Sequence, residues 1–488
     1  MRRAMLARCG RIERAVRRAV EEQYSTLDRL LERGRNTAFG RDVGLGRVHN
    51  AEQFARAVKR FDYASFAPYI ERMRRGESDV AAEGRVGMFA CSSGTSARSK
   101  YIPITHRALY GNHLRGMADA VALYLRANPS SRLFDGRTLT MAGHCQREGR
   151  ALVGDLSALL VVATGRWGEM VRAPSRRVAL IDDFEAKCDA ICRECAGEDI
   201  RALAGVPSWN MALVRRLLEW SGREHLCDVW PNVELFMHGG VSFHPYRAAF
   251  EDAVGRKINY LESYNASEGF IAVAEECNSD EMLLMPHYGC YYEFARGDNV
   301  VPLEGVRCGA EYAVLMSSEN GLWRYELGDV VRFTSIDPYK IKIVGRTKQY
   351  INAFGEELMI GNAEQALLYA CSVTGAVVEE FTVAPQFLPS MGGYHRWVVE
   401  FVRQPSGEAH FAEELDAKLR SLNSDYDAKR RSVMQRLQVV VVPRGTFHRW
   451  QMMEGRRKIT RLKNDSSISD ALLRVGGIAE YGTEINEE

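Results

Sequence analysis

Residues 92–96 read Ser-Ser-Gly-Thr-Ser, inside the stretch "FACSSGTSARSKYIPITH". Hydroxyl side chains and closely spaced backbone N–H groups can surround a phosphate, and glycine lets the backbone approach it. Lys100, just beyond, adds positive charge. A polar turn between two strands favours the same small residues, so both readings stand at this point. The glycine–lysine–Ser/Thr ending of a Walker loop is missing, and so is a G-x-G-x-x-G dinucleotide fingerprint.

A second cluster of reactive types is Cys188, Cys192 and Cys195, in C-x-x-x-C-x-x-C spacing. That spacing holds an iron–sulfur cluster when a loop wraps the cluster. Here "DDFEAKCDAICRECAG" has helical character, and steps of four and three put all three thiols on one helix face. Cysteine packs there as a small apolar residue. Zinc is not indicated, because there is no second C-x-x-C and no H-E-x-x-H.

Bulk properties exclude several classes. The 488 residues allow more than one domain. Lys plus Arg total 65 against 63 Asp plus Glu, a net charge of +2. This gives no global attraction to nucleic acid or membrane. The most apolar run, "LSALLVVA", is far too short to span a bilayer. Eleven scattered cysteines suggest reduced thiols and a cytoplasmic setting. Seven arginines among the first twenty residues suggest a transit peptide or membrane-surface helix. Glu13, Glu21 and Glu22, with Leu27, Leu30 and Leu31 at helical spacing, point instead to a charged surface helix of the folded body.

The elements that must position these residues follow from periodicity. Helices run to about Arg75, and then a strand enters a serine-rich loop. "THRALYGNHLRGMADAVALYLRAN" is a helix capped by Thr105 and ending before Pro129. "RLFDGRTLTMAG" and "RVALI" read as strands, and "RALAGVPSWNMALVRRLLEWSG" as a strand end, a turn and a helix. "NVELFMHGG" and "INYLESYNASEG" read as buried strands running into loops. This alternation predicts an α/β body with parallel sheet content and ligand sites at strand ends. After about residue 345 the pattern becomes helix, two strands, helix, strand, a compact α+β unit.

Four more segments carry candidate chemistry: "FMHGGVSF" (236–243), "YLESYNASEGF" (260–270), "GLWRYELGDVVRF" (321–333) and "GRTKQYINAFGEEL" (345–358). "EGRRKITRLKND" (454–465) follows near the C-terminus. With the serine-rich stretch, in this order and spacing, they resemble the adenylate-forming superfamily. The closest resemblance is to the Gretchen Hagen, or auxin-responsive promoter, acyl acid–amido synthetases, a branch with many bacterial members. It covers nearly the whole chain and extends to "PYIERMRRGE", "GDLSALL", "GVPSWN" and "LNSDYDAKR".

The resemblance implies an α/β fold with a large N-terminal adenylate-forming domain (1–345) that binds ATP and an acyl acid. A smaller mobile α+β C-terminal domain (346–488) would carry the adenylation lysine. It implies adenylation of a carboxylic acid with release of pyrophosphate, then transfer of the acyl group to an amine, usually an amino acid, with release of AMP. ATP and Mg2+ are the implied cofactors, with no nucleic acid, membrane span or carrier-protein domain. By the same resemblance Ser92, Ser93, Gly94, Thr95 and Ser96 match the phosphate loop. Gly239 and Gly240 match a strand-end loop beside the adenine, and Tyr264 the aromatic that stacks on it. Ser267 matches the hydroxyl facing the α-phosphate, and Glu268 the magnesium carboxylate. Asp329 and Arg346 match the ribose-binding pair, Lys348 the hinge, and Lys458 the adenylation lysine. These types suit the chemistry, because transfer at the α-phosphorus builds negative charge that cations and hydroxyl donors stabilise.

Two departures stand out. Ala97 and Arg98 occupy positions where many relatives are richer in glycine, and Arg456 and Arg457 crowd Lys458. The acid and the amine are not marked by any motif; Tyr110, His144, Ser157, Trp209 and Met211 are candidate pocket lining. Two other readings remain: an acyl-CoA ligase, which would use the same adenylation residues, and a non-catalytic acyl or nucleotide-binding relative, against which intact Glu268, Asp329 and Lys458 argue.

Overall fold

The computed structural model describes residues 2–96, 98–240, 243, 247–347, 350–388, 392–454 and 459–478. At 92–96, 98–99, 166–167, 208 and 248–249 only the backbone is described. The chain forms two compact units: Met1–Ser92 with Lys100–Thr347, and Ser93–Ser99 with Lys348–Glu488.

The first unit is built on a twelve-stranded sheet. One half is parallel, in the lateral order Arg172–Ala173, Arg137–Thr140, Ile200–Gly205, Leu235–His238 and Asn259–Ala266. From Asn259–Ala266 onward every pairing is antiparallel, through Gly269–Ala274, Met282–Leu284, Tyr339–Arg346, Tyr325–Ile336, Glu311–Ser318, Cys290–Arg296 and Asn299–Pro302. The alternation expected from the sequence is present in the parallel half, where helices such as Pro207–Ser221 connect the strands. Buried strands such as Gly269–Ala274, apolar at nearly every position, need both faces covered.

A separate four-stranded sheet holds Met88–Ser96 and Arg98–Ile104 as neighbours. The serine-rich stretch therefore corrects the loop expected from its composition: its backbone is the end of a strand. Pairing with a neighbouring strand overrides the turn preference of small residues. "RVALI" is a second correction. Its residues fall in the short helix Arg176–Ala179 and the turn after it, not in a strand. Five apolar-rich residues cannot distinguish a strand from a helical turn by periodicity alone.

The cysteine helix forms as expected. It spans Phe184–Cys195, and Asp183 caps it by accepting the Ala186 N–H at 2.7 Å. Cys188, Cys192 and Cys195 are all buried. Burial pushes their thiols up to about 12, 11 and 12 respectively. Such thiols stay protonated and act as core residues.

The second unit contains a three-stranded sheet. Val377–Phe387 pairs antiparallel with Gly393–Arg403, which pairs parallel with Gln438–Val442. The helices Ile360–Thr374 and Glu408–Leu422 pack against each other. Val398, Val440, Phe447, Trp450 and Leu472 form part of its core.

Candidate active site

The parallel strands Arg137–Thr140, Ile200–Gly205, Leu235–His238 and Asn259–Ala266 end on one edge of the sheet, where open α/β folds bind ligands. Gly239 and Gly240 follow Leu235–His238 directly. A Cβ on Gly239 would lie 2.3 Å from the Ser263 carbonyl oxygen, so only glycine permits this approach to the next strand. Ser267 and Glu268 are the two-residue turn joining Asn259–Ala266 to Gly269–Ala274, with Ala266 paired to Gly269.

Three predicted residues converge. Asp329 and Arg346 are directly opposed across the Tyr325–Ile336 and Tyr339–Arg346 pair, which puts both side chains on one face. Arg346 Nε donates to Asp329 Oδ1 at 2.5 Å, and the Tyr264 hydroxyl donates to Asp329 Oδ2 at 2.5 Å. Tyr264 lies four strands away in sheet order. At about 4.8 Å per strand, a flat sheet would separate them by roughly 19 Å. The contact therefore requires the sheet to curl. Register shifts at Phe270/Ala272 and Val330/Val331 supply local bends.

The electrostatics follow from this packing. Burial, and then the neighbouring Asp329 charge, hold the Tyr264 phenol well above its ordinary range, so it stays a donor. Glu268 is half-buried, and burial raises its carboxyl, with Lys100 opposing. Asp329 and Arg346 also act on it, with opposite signs. One strand turn back, Glu262 is pushed up to about 7 by burial, with Asp280 adding to the effect.

Two buried asparagines hold the Ser267–Glu268 hairpin, and sequence reasoning had not singled out either. Asn112 accepts the Phe270 N–H at 2.6 Å and donates to the carbonyls of Phe270 and Tyr288 at 3.2 and 3.1 Å. It lies in a π-helical turn, Leu109–His113, within the helix that Thr105 caps as expected. The neighbouring His113 Nδ1 lies 2.9 Å from Asn265 Oδ1. A Cβ on Gly116 would sit 2.3 Å from the Phe270 ring, so the same helix presses against the hairpin. The available signal was a polar residue within the buried stripe of that helix. Asn320 donates to the Glu268 carbonyl and carried no such signal, since "SSENG" reads as an ordinary polar turn.

Other candidates fall elsewhere. Of Ser92, Ser93, Gly94, Thr95 and Ser96 only the backbone is described, and Lys348 and Lys458 lie outside the described residues entirely. Of the candidate pocket lining, Met211 is a buried core residue and Tyr110 is exposed. Ser157 accepts the Gly143 N–H at 3.0 Å, His144 donates its backbone N–H to Asp155, and Trp209 packs near Phe184. Among the described residues no helix is long and apolar enough to cross a membrane.

Comparison with known proteins places this geometry in a family. The GH3 family N-terminal domain matches residues 8–151 and 142–258, the central domain 282–346 and the C-terminal domain 361–468. A curated relative, the putative indole-3-acetic acid-amido synthetase GH3.9 of Arabidopsis thaliana, is 23% identical over 411 residues, covering 66% of this chain and 68% of that protein. Among solved structures, the GH3.15 acyl acid amido synthetase superposes with a TM-score of 0.64 at 18% identity, covering 96% of this chain and 95% of that one. A 2-hydroxyisobutyryl-CoA ligase superposes with a TM-score of 0.54 at 16% identity, covering 97% and 91%. At these identities the two structures speak for the fold alone.

Proposed function

Because the chain belongs to the GH3 family, we propose that it is an ATP-dependent acyl acid–amido synthetase. The observation that carries this reading is the convergence of Tyr264, Asp329 and Arg346 beside the Glu268 hairpin. In the first step a carboxylate oxygen of the acid attacks the α-phosphorus of ATP, and the bond to pyrophosphate breaks. In the second an amine nitrogen attacks the acyl carbon, the bond to AMP breaks and the amine loses a proton. An amino acid is the proposed amine, as the name of one relative, a jasmonoyl–L-amino acid synthetase of Nicotiana attenuata, suggests.

Asp329 is the proposed ribose acceptor. An ionised carboxylate has about four acceptor sites, so it can take ribose hydroxyls while keeping Tyr264 and Arg346. Those two partners fix its orientation before ATP arrives. Tyr264 is proposed at the adenine, with Gly239 and Gly240 beside it, and Ser92–Ser96 and Ser267 at the phosphates.

Glu268 suits a magnesium ion. Burial disfavours its charge, and a nearby divalent cation restores it. Magnesium usually takes one or two carboxylates together with substrate phosphates. No group of three or more His, Cys, Asp or Glu that could hold a metal ion occurs among the described residues. When bound, the ion neutralises phosphate charge. None of the eleven cysteines forms a disulfide, and the proposed setting is the cytoplasm, where thiols stay reduced.

The test is carboxylate-dependent exchange of labelled pyrophosphate into ATP across a panel of acids, followed by turnover with amino acids or with coenzyme A. Exchange with amine-stimulated AMP release is expected. Stimulation by coenzyme A alone would make the chain a thioester ligase, and no exchange with any acid would make it a non-catalytic relative. Lys458 is the proposed cation of the first step and Lys348 the proposed hinge. A preorganised cation facing developing charge contributes about 3–4 kcal/mol, on the order of a hundredfold or more in rate. Lys458→Ala should lose that factor in exchange yet still transfer a preformed acyl-adenylate to the amine. Normal exchange by this variant would show the lysine is misassigned.

A further inference from the structure

The tight turn before the strand Tyr325–Ile336 carries one buried amide that joins two other segments. Asn320 is 1% exposed. Its Oδ1 accepts the Thr105 N–H at 3.0 Å, and its Nδ2 donates to the Glu268 carbonyl at 3.1 Å. Thr105 follows the strand Arg98–Ile104, which returns from the serine-rich hairpin, and its hydroxyl donates to the Glu319 carbonyl at 2.9 Å. The amide orientation is fixed by its neighbours, because a flip would set donor against donor and acceptor against acceptor.

The turn itself is rigid. The Gly321 N–H donates to the Ser318 carbonyl, and the Ser318 N–H donates to the Leu322 carbonyl, both at 2.9 Å. Gly321 has φ +78°, and a Cβ there would lie 2.7 Å from the backbone at Ala81 and Ala82, so the turn is pressed onto that segment. Eight residues beyond Gly321, within the strand Tyr325–Ile336, comes Asp329. Three segments with proposed roles thus meet at one side chain: the strand leaving the serine-rich hairpin, the Glu268 turn, and the strand bearing Asp329.

We propose that Asn320 is a positioning residue for adenylation, whose carboxamide fixes the height of the Glu268 turn against the strand leaving the serine-rich hairpin. The inference rests on the amido-synthetase reading of the site. Asn320 touches no reacting atom in this role. It acts through Glu268, whose backbone it holds, and not through Asp329, which has its own partners in Tyr264 and Arg346.

This division yields a measurable split. Asn320→Ala should lower kcat for pyrophosphate exchange on the order of 10–100-fold, as expected for a reacting group displaced by about an ångström. The KM for ATP should stay within about twofold, because the ribose contacts remain. In a Glu268→Ala background the same substitution should cost less than about twofold, since residues acting as a unit are strongly non-additive. Asn320→Ser keeps a hydroxyl in the niche, and serves for the same cycle if the alanine variant does not fold. Equal losses in both backgrounds, a parallel rise in KM for ATP, or wild-type kcat in the variant would overturn the inference while leaving the activity intact. Absence of exchange by the wild-type chain would overturn the activity reading, and this inference with it.

Discussion

Each unit of this protein buries carboxylates among polar partners, and two of them, Glu356 in the second unit and Asp329 in the first, differ in how completely they are enclosed. In the second unit Glu356 and His395 are both 0% exposed, with His395 Nε2 2.7 Å from Glu356 Oε1. The Glu356 carboxylate also accepts the backbone N–H groups of Ala353 and Phe354, at 3.3 and 2.7 Å. Asn423 donates to the carbonyls of Glu356 and Glu357. This carboxylate holds a loop together and has no path to solvent. In the first unit Asp329 and Arg346 keep 9% and 21% of their side-chain surface exposed. A buried, paired carboxylate is thus not by itself a sign of function. Position at a sheet edge and residual access distinguish one that can receive a ligand hydroxyl from one that braces the backbone.

The sharpest way to break this comparison is to remove each carboxylate. Glu356→Ala leaves His395 and two N–H groups without their acceptor. Breaking a buried pair from one side costs about 3–5 kcal/mol. Urea unfolding followed through Trp397 and Trp450 should show a midpoint lowered to match, and an unchanged midpoint would mean the pair is not structural. Asp329→Ala should act mainly on the ligand. Charge-assisted bonds to ribose contribute about 1.5–3 kcal/mol each. ATP affinity should therefore fall about tenfold or more while the fold survives, and a normal ATP titration would remove Asp329 from the site.

The mildest effect near neutral pH concerns protons. Burial depresses His113 to about 4 and both His238 and His287 to about 3. His113 Nε2, His238 Nδ1 and both ring nitrogens of His287 have no hydrogen-bond partner among the described residues. Between those values and the ordinary 6.5 the unfolded chain binds protons that the folded one refuses, so stability falls as pH drops below 6.5. Glu262, raised to about 7, works the other way: the folded chain holds its proton between the ordinary 4.5 and about 7. Glu268 and Glu293, also raised by burial, act in the same sense as Glu262, so the imidazole contribution is read by difference: His287→Phe should make the melting temperature fall less, or rise more, from pH 6.5 to 4.5 than in the parent chain. An identical pH dependence in the variant would show that His287 is not buried in the neutral form.

Much of the architecture was legible. Helix patterns such as the cysteine helix formed where their periodicity placed them, and Thr105 caps its helix as expected. Errors came where short segments lacked a period of their own. "RVALI" became a helical turn, and the serine-rich stretch became a strand because a neighbour paired with it. Within the candidate site, the family resemblance pointed to Tyr264, Asp329 and Arg346 separately, but nothing in the sequence joins Tyr264 to Asp329. Asn320 was invisible, and Asn112 showed only as a polar residue in a buried helical stripe, for a related reason. An asparagine reads locally as a turn former, and its role depends on which distant carbonyl it meets.

The sequence by itself determined the family, the α/β class and the residue types that adenylation chemistry needs, because these follow from local pattern and motif order. Tertiary structure decided which of them touch. The Tyr264 hydroxyl reaches Asp329, four strands away, only because the sheet curls. Asn320 holds the Glu268 turn only because a buried loop brings its amide there. The serine-rich stretch is a strand only because a partner strand lies beside it. Hydrogen bonds between residues far apart in the chain depend on curvature and register that no local window encodes, and the burial that gives those contacts their strength exists only in the folded chain.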